Sequence, residues 1–434
     1  MEGLNLGSNT AFLSGGDAFI LDDLPANFTI GCDATSFNSA KPFAGFRDIP
    51  PGVHLIWVSP SESTSSRSGY WMCTSKRHDT QPGRIYVKQW DKFNEVLRDR
   101  DPSTQTVQQS QNQSLEQKFA QLSPYHLRTA STESSHKLAL SQGDESPPDL
   151  LGDQNIWYQL TFAIRPDLLN RITGQAQNIW QVTTSESVAG ETALAEEVQL
   201  YASETSHLQF TFPMDVRLIN PEARGAERTR QALDPTGWII DKLENPDSDY
   251  RLEDLAGELQ FAFLVGMHLG NFSCLEQWFF LATQLIFRSY GLAIDRPQQT
   301  RNLIQTFHAQ LLYNDRYLQG DALELMPEHA RKLRLALTTY KTHLDEKLLA
   351  LSDLCTPDQH AVGMAFSSLE SWLRQYGWDL KGEYVRSGNI MLEDGEMVQA
   401  ELSDFEDEDE RGEFAPTVVE IENGREAGLL SWDT

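Results

Sequence analysis

An aspartate and a histidine near the start of the chain are the first residues whose types could carry out chemistry. Asp33 ends the apolar run "FTIGC", a context faintly like the Asp-[Ser/Thr]-Gly motif of aspartic proteases. Those enzymes need two carboxylates that share a proton, and a glycine after the hydroxyl residue. Here the order is Asp33-Ala34-Thr35, without that glycine and without a second copy. We therefore predict that Asp33 forms a turn and has no catalytic role.

His54 is the second candidate, and it lies between Val53 and Leu55 in a strand-like run. A lone histidine in such a run is more often a hydrogen-bonded structural residue than a general base. The sequence also has no G-x-x-x-x-G-K-[S/T] phosphate loop, no G-x-S-x-G nucleophile elbow and no H-E-x-x-H zinc motif. These observations predict that the chain is not an enzyme.

Cysteines could bind a metal or form disulfides, and the chain has four of them. None lies in a C-x-x-C spacing, and none of the ten histidines completes a pair of zinc ligands. We predict four reduced thiols, no metal and no other cofactor. The cysteines are Cys32, Cys73, Cys274 and Cys355.

The residues before His54 predict a structural turn. Pro50 and Pro51 fix φ and lack N–H donors, so the chain cannot yet lie inside a β-ladder. Gly52 can supply the positive φ that a type II turn needs after proline. We predict that these three residues form the turn and that a strand begins at Val53.

The charge of the chain bears on its partners. The 35 Lys and Arg residues stand against 63 Asp and Glu residues, which gives a net charge of −28. Without a basic cluster, such a chain should be repelled by nucleic acids and anionic membranes. We therefore predict protein partners, with no tight RNA binding, no DNA binding and no membrane binding. The sequence also lacks a long apolar stretch and a signal-peptide pattern, so we expect an intracellular protein.

The apolar pattern predicts an α+β chain with two domains and a tail. Short runs rich in Val, Ile, Tyr and Trp indicate a β-rich, sandwich-like domain over residues 1–245. The Ser- and Gln-rich residues 101–149 are too polar to offset the entropy of ordering, so a largely disordered insertion is predicted there. Further on, Pro166 should break or kink a helix, and "LQFTFP" alternates like a strand that ends at Pro213.

Apolar residues at a 3.6-residue period predict an all-α domain over residues 248–384. Ser273 and Glu276 fit a capping box at the start of one helix, and Gly291 fits its C-cap. Pro327 suits the first turn of a later helix.

Residues 385–434 are predicted to form an acidic, disordered tail. Eight carboxylates lie within residues 401–413, and their mutual repulsion should keep this run extended. Ser403 precedes acidic residues and is a candidate phosphorylation site. Downstream, a β-prone segment has no predicted neighbour inside the tail and could add as a strand to a partner's sheet. A tail that only solvates the protein is the alternative. The candidate partner-binding residues are Val418, Val419 and Ile421.

Several segments, taken in order, resemble the Aar-two family, the A-one-cistron splicing factors. That family has a strand with Leu-Pro, a Gly-Ile-Asp-like element, the pattern Phe-x-Gly-x-x-x-Ile-Pro-Pro-Gly-x-His and a basic-Trp-Asp element. The C-terminal part resembles the family at Glu258-Leu259-Gln260 and Glu276-Gln277-Trp278. The matching N-terminal positions are Leu24-Pro25, Gly31 to Asp33, Phe43 to His54 and Lys88 to Asp91.

The resemblance implies a non-enzymatic pre-mRNA splicing factor of the cytoplasm and nucleus, with a VHS-like helical domain. It implies a chaperone of U5 snRNP assembly that binds the RNase H-like and MPN-like domains of the scaffold protein Prp-eight. Such a chaperone delays joining of the Brr-two helicase, and phosphorylation promotes its release. The alternative is a VHS-type adaptor that recognises peptide motifs in membrane traffic.

Overall fold

The computed structural model describes most of the chain outside the polar and acidic stretches. A β-rich first part and a helical second part confirm the predicted α+β class. Among the described residues, no helix is both long enough and apolar enough to span a bilayer. The described residues are 15–60, 66–75, 83–99, 118–125, 153–175, 179–188, 207–216, 218–219, 224–244, 250–251, 253–318 and 320–380, with the backbone of 387–391, 397–401, 419–422 and 425–429.

The first unit consists of two five-stranded sheets that pack face to face. The first sheet has the order β8-β7-β1-β4-β9, and the second has the order β10-β6-β5-β2-β3. Apolar side chains from both sheets, among them Phe19, Ile30, Ile56 and Trp90, form the core between them. The strands are β1 (Asp17–Asp22), β2 (Phe28–Cys32), β3 (Thr35–Ser39), β4 (Gly45–Ile49), β5 (Gly52–Pro60), β6 (Ser68–Thr74), β7 (Ile85–Asp91), β8 (Val96–Asp99), β9 (Ser123–Pro124) and β10 (Ile179–Thr183).

Strand β1 is buried on both faces of the first sheet. Phe19 and Leu21 point into the core between the sheets, whereas Ala18 and Ile20 point to the outer face. This alternation follows from the two-residue period of a strand. β1 runs parallel to β7 and antiparallel to β4, so the first sheet is mixed.

The predicted start of the strand after the proline turn is wrong by one residue, because β5 begins at Gly52 and not at Val53. Gly52 pairs with Thr74 and has φ +154°. This φ lies far above the value of about +80° that a type II turn requires. The Thr74 hydroxyl accepts a hydrogen bond from the Gly52 N–H (2.8 Å) and donates one to the Pro50 carbonyl (2.7 Å).

Residues 118–125 belong to the first sheet, although they lie inside the predicted disordered insertion. A helical turn at 118–121 leads into β9, which pairs parallel with β4. Phe119 and Leu122 are buried against the outer face of the sheet. The prediction of disorder is wrong for these eight residues. It rested on the polar composition of the whole of 101–149, and that average conceals the two apolar residues that are buried here, Phe119 and Leu122. The rest of 101–149 lies outside the described residues.

Between the two units the chain forms two helices and a short pair of strands. Helix α1 (Asp153–Thr161) ends before Arg165, and α2 (Pro166–Thr173) begins at the predicted break. Strand β12 (His207–Leu208) pairs parallel with β11 (Ser187–Val188) and is far shorter than the predicted strand. Phe210 and Phe212 are nonetheless buried, since the alternation reflects packing against helices and not a β-ladder.

The second unit is helical, as predicted. Asn271, not Ser273, caps α6 (Phe272–Phe280), and its side chain accepts from the Cys274 N–H. Gly291 precedes α7 (Leu292–Asp295) and does not end α6, which continues through a π-helical turn at Leu281–Ile286. The helices are α3 (Ala226–Leu233), α4 (Thr236–Leu243), α5 (Glu253–Leu269), α6 (Phe272–Phe280), α7 (Leu292–Asp295), α8 (Pro297–Tyr317), α9 (Ala322–Leu325), α10 (Pro327–Leu351, which starts at the predicted proline) and α11 (Pro357–Gln375).

One apolar cluster joins the helical unit to the second sheet. It runs from Leu55, Trp57 and Trp71 on the outer face of that sheet, through α1, α2 and α5, to Leu380. The core is therefore continuous across residue 245, where the sequence analysis placed a domain boundary.

Candidate interaction site

The predicted chemical residues Asp33 and His54 meet in one buried cluster. Asp33 Oδ1 accepts a hydrogen bond from the Leu55 N–H (2.9 Å), and Oδ2 accepts from Nδ1 of His54 (2.7 Å) and from the Tyr125 hydroxyl. His54 Nε2 lies 2.9 Å from the Pro50 carbonyl oxygen, which can only accept. Both ring nitrogens therefore face acceptors. Burial alone would lower the pKa of His54, but the Asp33 carboxylate and these hydrogen bonds raise it.

This cluster supports the fold, and with Tyr125 in place it is closed to a small-molecule substrate. Asp33 is 2% exposed and His54 is 3% exposed, and both are occupied by hydrogen-bond partners. The cluster fastens the β2–β3 turn, the turn before β5 and the segment ending at Tyr125. Asp33 has φ +53° in the two-residue turn of that hairpin, which agrees with the predicted turn role. The sequence did not indicate Tyr125, because nothing local connects it to Asp33.

Other sequence candidates for chemistry stay apart in space. Among the residues that the structure describes, no group of three or more His, Cys, Asp or Glu side chains could hold a metal ion. The structure records no disulfide bond among the four cysteines. Burial raises the pKa of Cys32 well above its usual value and raises that of Cys73 to about 12, so neither is poised as a thiolate.

The two units are joined by polar side chains that bind backbone carbonyls. Arg67 Nη1 donates to the carbonyl of His268 (2.6 Å), near the C-terminus of α5, where a cation is favourable. The Thr184 hydroxyl donates to the next carbonyl, that of Leu269 (2.6 Å). The amide of Asn271 donates to the carbonyls of Thr183 (3.0 Å) and Glu186 (2.8 Å). These contacts fix the orientation of α5 and α6 against the second sheet.

The residues that carry the C-terminal resemblance form a second set of hydrogen bonds between distant segments. Glu258 Oε1 accepts from the Thr211 N–H (2.7 Å), and the amide of Gln260 bonds Ala163 N–H (3.0 Å) and the Gln159 carbonyl (2.8 Å). Gln277 Nε2 in turn donates to the carbonyl of Phe212 (2.6 Å), and Trp278 Nε1 donates to Oε1 of Gln310 (2.8 Å). Glu258, Gln260 and Gln277 thus supply hydrogen-bond partners to buried backbone groups of other segments, which explains why these polar residues stand at these positions.

An ion-pair network lies beside these hydrogen bonds at the start of α5. Asp254 accepts hydrogen bonds from Arg165 and from Arg171 (2.7 Å). Glu258 lies deeper, and Arg171 Nη2 approaches it only to 4.0 Å. Burial therefore dominates and raises the pKa of Glu258 to about 7.

Large exposed apolar side chains mark candidate contacts for a partner. Phe93 is 90% exposed in the β7–β8 turn, which Asp91 holds by accepting from the N–H of Phe93 (2.9 Å) and from the amide of Asn94 (2.8 Å). Tyr158 and Phe162 present neighbouring rings on and just after α1, with centroids 6.5 Å apart. A third group lies around the α10–α11 corner and consists of Leu349, Leu354 and Met364.

The tail residues that were predicted to bind a partner are only partly described. Strand β13 (Ser387–Met391) pairs with β14 (Met397–Glu401), and β15 (Val419–Glu422) pairs with β16 (Arg425–Leu429). The prediction that this β-prone segment has no neighbour inside the tail is wrong, because Val419 pairs with Leu429 and Ile421 pairs with Glu426. Ser403 and Val418 lie outside the described residues.

Taken together, the fold and these hydrogen bonds define a two-unit α+β scaffold in which a β-sandwich and a helical unit share one core. The chain belongs to the AAR2 family: the AAR2 N-terminal domain matches residues 15–174, and the AAR2 C-terminal repeat region matches residues 210–381. The predicted resemblance is thereby confirmed. Residues 210–245, which the sequence analysis placed in the first domain, fall within the C-terminal match.

Curated relatives agree with the family assignment. The A1 cistron-splicing factor AAR2 of Saccharomyces cerevisiae is 25% identical over 267 residues, which cover 58% of this chain and 66% of the relative. The AAR2 homolog of Macaca fascicularis is 24% identical over 308 residues, covering 69% and 76%. The homolog of Caenorhabditis elegans is 23% identical over 281 residues, covering 58% and 67%.

Proposed function

We propose that this protein is a non-enzymatic pre-mRNA splicing factor. The observation that carries the proposal is the match, in order, to both regions of a family whose yeast member is named a splicing factor. Three residues of the C-terminal resemblance, Glu258, Gln260 and Gln277, bind the segments that connect the two units, which supports the match. Asp33 and His54, the residues nearest to a catalytic pair, are used for structure.

Within this class we propose an assembly chaperone of the U5 snRNP, acting in the cytoplasm and nucleus. It would bind the scaffold protein Prp-eight through its RNase H-like and MPN-like domains and delay joining of the Brr-two helicase. The net charge of −28 supports this role, since an acidic protein can cover a basic surface that later binds RNA. The exposed Phe93, held on a turn that Asp91 braces, is suited to be a rigid anchor in such an interface.

The tail is proposed to contribute to the same contact. The hairpin of β15 and β16 offers an outer strand edge for addition to a partner's sheet, and Val419 and Ile421 lie in that hairpin. Ser403 is proposed as a phosphorylation site that would add negative charge beside it.

The experiment is purification of the tagged full-length protein from nuclease-treated cell extract, followed by mass spectrometry. We expect Prp-eight and other U5 proteins, whether or not RNA is digested. Three variants locate the contact: Phe93→Ala, its neighbour Lys92→Ala as the matched control, and truncation at Gly395. Recovery of membrane-traffic components instead, or loss of the spliceosomal proteins on nuclease treatment, would contradict the proposal.

A further inference from the structure

Residues 118–125 are held on the first sheet in the way a protein holds a bound peptide. The segment is joined to β8 and to α1 by residues 100–117 and 126–152, which the structure does not describe. Its contacts are with β1, β4, β7 and the Asp33 cluster.

Two apolar side chains of the segment fill the outer face of the sheet. Phe119 and Leu122 are three residues apart on a helical turn, so both point to the same side. They are 7% and 3% exposed, and they pack with Ala18, Ile20 and Ile85. A face of β1 and β7 that is lined by such residues is unsuited to water, and this segment is what covers it.

Polar groups align the segment with the edge of the sheet. Lys118 Nζ donates to Asp22 Oδ1 (2.6 Å), and Arg47 Nε donates to the Leu122 carbonyl (3.2 Å). The Arg47 guanidinium also lies 5.7 Å from the centre of the Phe119 ring. The backbone then pairs with β4, and the Tyr125 N–H donates to the carbonyl of Arg47 (2.7 Å).

The segment ends in a pocket for a phenol. The Tyr125 hydroxyl donates to Asp33 Oδ2, and its ring meets the His54 ring edge-on, with centroids 5.4 Å apart and planes at 79°. A carboxylate buried beside a protonatable ring is a specific acceptor for one hydroxyl group. Backbone pairing to a sheet edge combined with side-chain pockets is a recurrent mode of peptide recognition.

We propose that the outer face of the first sheet, with the edge of β4 and the Asp33–His54 pocket, is a peptide-binding groove that the chain fills with its own residues 118–125. Its ligand class is a peptide that forms one helical turn followed by a short strand, with a basic residue, apolar residues one and four positions later, and a tyrosine seven positions later. A segment of this kind in a partner protein would take the place of 118–125. This binding site is additional to the proposed splicing function and does not depend on it.

The small size of the contact makes such an exchange feasible. In the described part of the segment, the ladder with β4 is limited to Ser123 and Pro124, whereas β1, β4 and β7 are held by their own ladders and by the core between the sheets. Segments with few buried groups open at a lower free energy than the whole molecule. The groove would therefore stay folded when the segment leaves.

The test uses the full-length protein and a fluorescent peptide of residues 117–126 ("QKFAQLSPYH"). The double variant Phe119→Ala/Leu122→Ala weakens the internal ligand but leaves the groove intact. We expect fluorescence anisotropy to show a Kd at least about tenfold lower for this variant than for the wild type. A peptide with alanine in place of both apolar residues is the matched control and should bind neither protein.

A second variant covers the case in which the double variant does not fold, which circular dichroism would reveal. Tyr125→Phe removes only the hydroxyl group of the internal ligand, so it should bind the peptide more tightly than the wild type. In both folded variants, added peptide should slow hydrogen exchange at β4. A folded double variant that does not bind the peptide, or equal binding of the peptide and its alanine control, would overturn the proposal.

Discussion

Asp33 receives three hydrogen bonds from two separate parts of the first unit: the His54 ring and the Leu55 N–H of β5, and the hydroxyl of Tyr125 after β9. Burial lowers the pKa of His54, but the neighbouring Asp33 carboxylate and its hydrogen bond raise it overall, so they favour the protonated ring. The carbonyl of Pro50 favours the same state, since it accepts from the other ring nitrogen. A single proton on His54 thus stabilises the whole cluster.

The protonation of His54 predicts a pH-dependent effect of its replacement. The pKa of His54 is raised in the folded state, so its contribution to stability is complete below about pH 6.5 and is lost as the pH rises through the folded pKa. We expect His54→Gln to lower the free energy of unfolding by about 1–3 kcal/mol at pH 6 and by less at pH 9. Urea denaturation at both values measures this, with the exposed His360→Gln as the control. A deficit that is the same at both pH values would contradict it.

Glu258 predicts the opposite kind of pH dependence. Its pKa is raised to about 7, so the folded state loses stability as the pH rises from the unfolded pKa of about 4.5 through 7. Glu258→Gln keeps an acceptor for the Thr211 N–H without the buried charge. We expect this variant to be more stable than the wild type by about 2–3 kcal/mol at pH 8 and nearly equal to it at pH 5.

The neighbouring carboxylate is the matched control for Glu258. Asp254→Asn removes the buried carboxylate that both Arg165 and Arg171 bind most closely, and it should destabilise the protein at pH 8. If Glu258→Gln is destabilising at pH 8 as well, then Arg171 pairs with Glu258 more strongly than their 4.0 Å separation suggests.

At the scale of elements, the eight residues around β9 show how a short anchor can lie within a polar stretch. Deleting residues 104–148 removes Phe119, Leu122 and Tyr125 together. We expect a loss of about 2–4 kcal/mol in the free energy of unfolding, because two buried apolar side chains and a buried hydrogen bond disappear. Chemical denaturation measures the loss. An unchanged stability would mean that the segment contributes nothing to the folded state.

Elements whose signals are local were predictable from the sequence. Pro166 begins α2, because its fixed φ and missing N–H suit the first turn of a helix, and β5 and β7 show the composition of strands. The cap of α6 was not predictable, because the Ser273 hydroxyl is taken by the Val188 N–H (2.8 Å), far away in the sequence. The contact between Asp33, His54 and Tyr125 was hidden for the same reason, although two of its members were singled out.

At the scale of the whole molecule, the continuous core makes the two units interdependent. A fragment of residues 15–245 would remove the α5 side chains that pack against the second sheet, such as Phe261 on Trp71 and His268 on Trp57. We expect this fragment to be insoluble or to lack a cooperative thermal transition, whereas the full chain unfolds in one step. A soluble fragment with a sharp transition would show that the boundary near residue 245 is a true domain boundary.

Asn271 is the side chain on which the orientation of the units depends most directly. Asn271→Ala removes the cap of α6 and leaves the buried carbonyls of Thr183 and Glu186 without their donor. We expect a loss of about 2–4 kcal/mol in the free energy of unfolding, measured by urea denaturation. Asn271→Asp keeps the cap but not the donor, so an intermediate loss would separate the two contributions. An Asp variant as unstable as the Ala variant would mean that the cap contributes little.

The pairing of β10 with β6 also has a consequence for synthesis of the chain. The paired residues, such as Thr183 and Ser68, are more than 100 positions apart, so the ribosome finishes one edge of the second sheet long after its neighbour. At roughly 5–20 residues per second, β6 waits on the order of 5–20 s with one side open. An unpaired strand edge is a template for aggregation. During synthesis the chain is therefore exposed to aggregation at the edge of β6 until β10 is made, whereas in the folded protein that edge is paired.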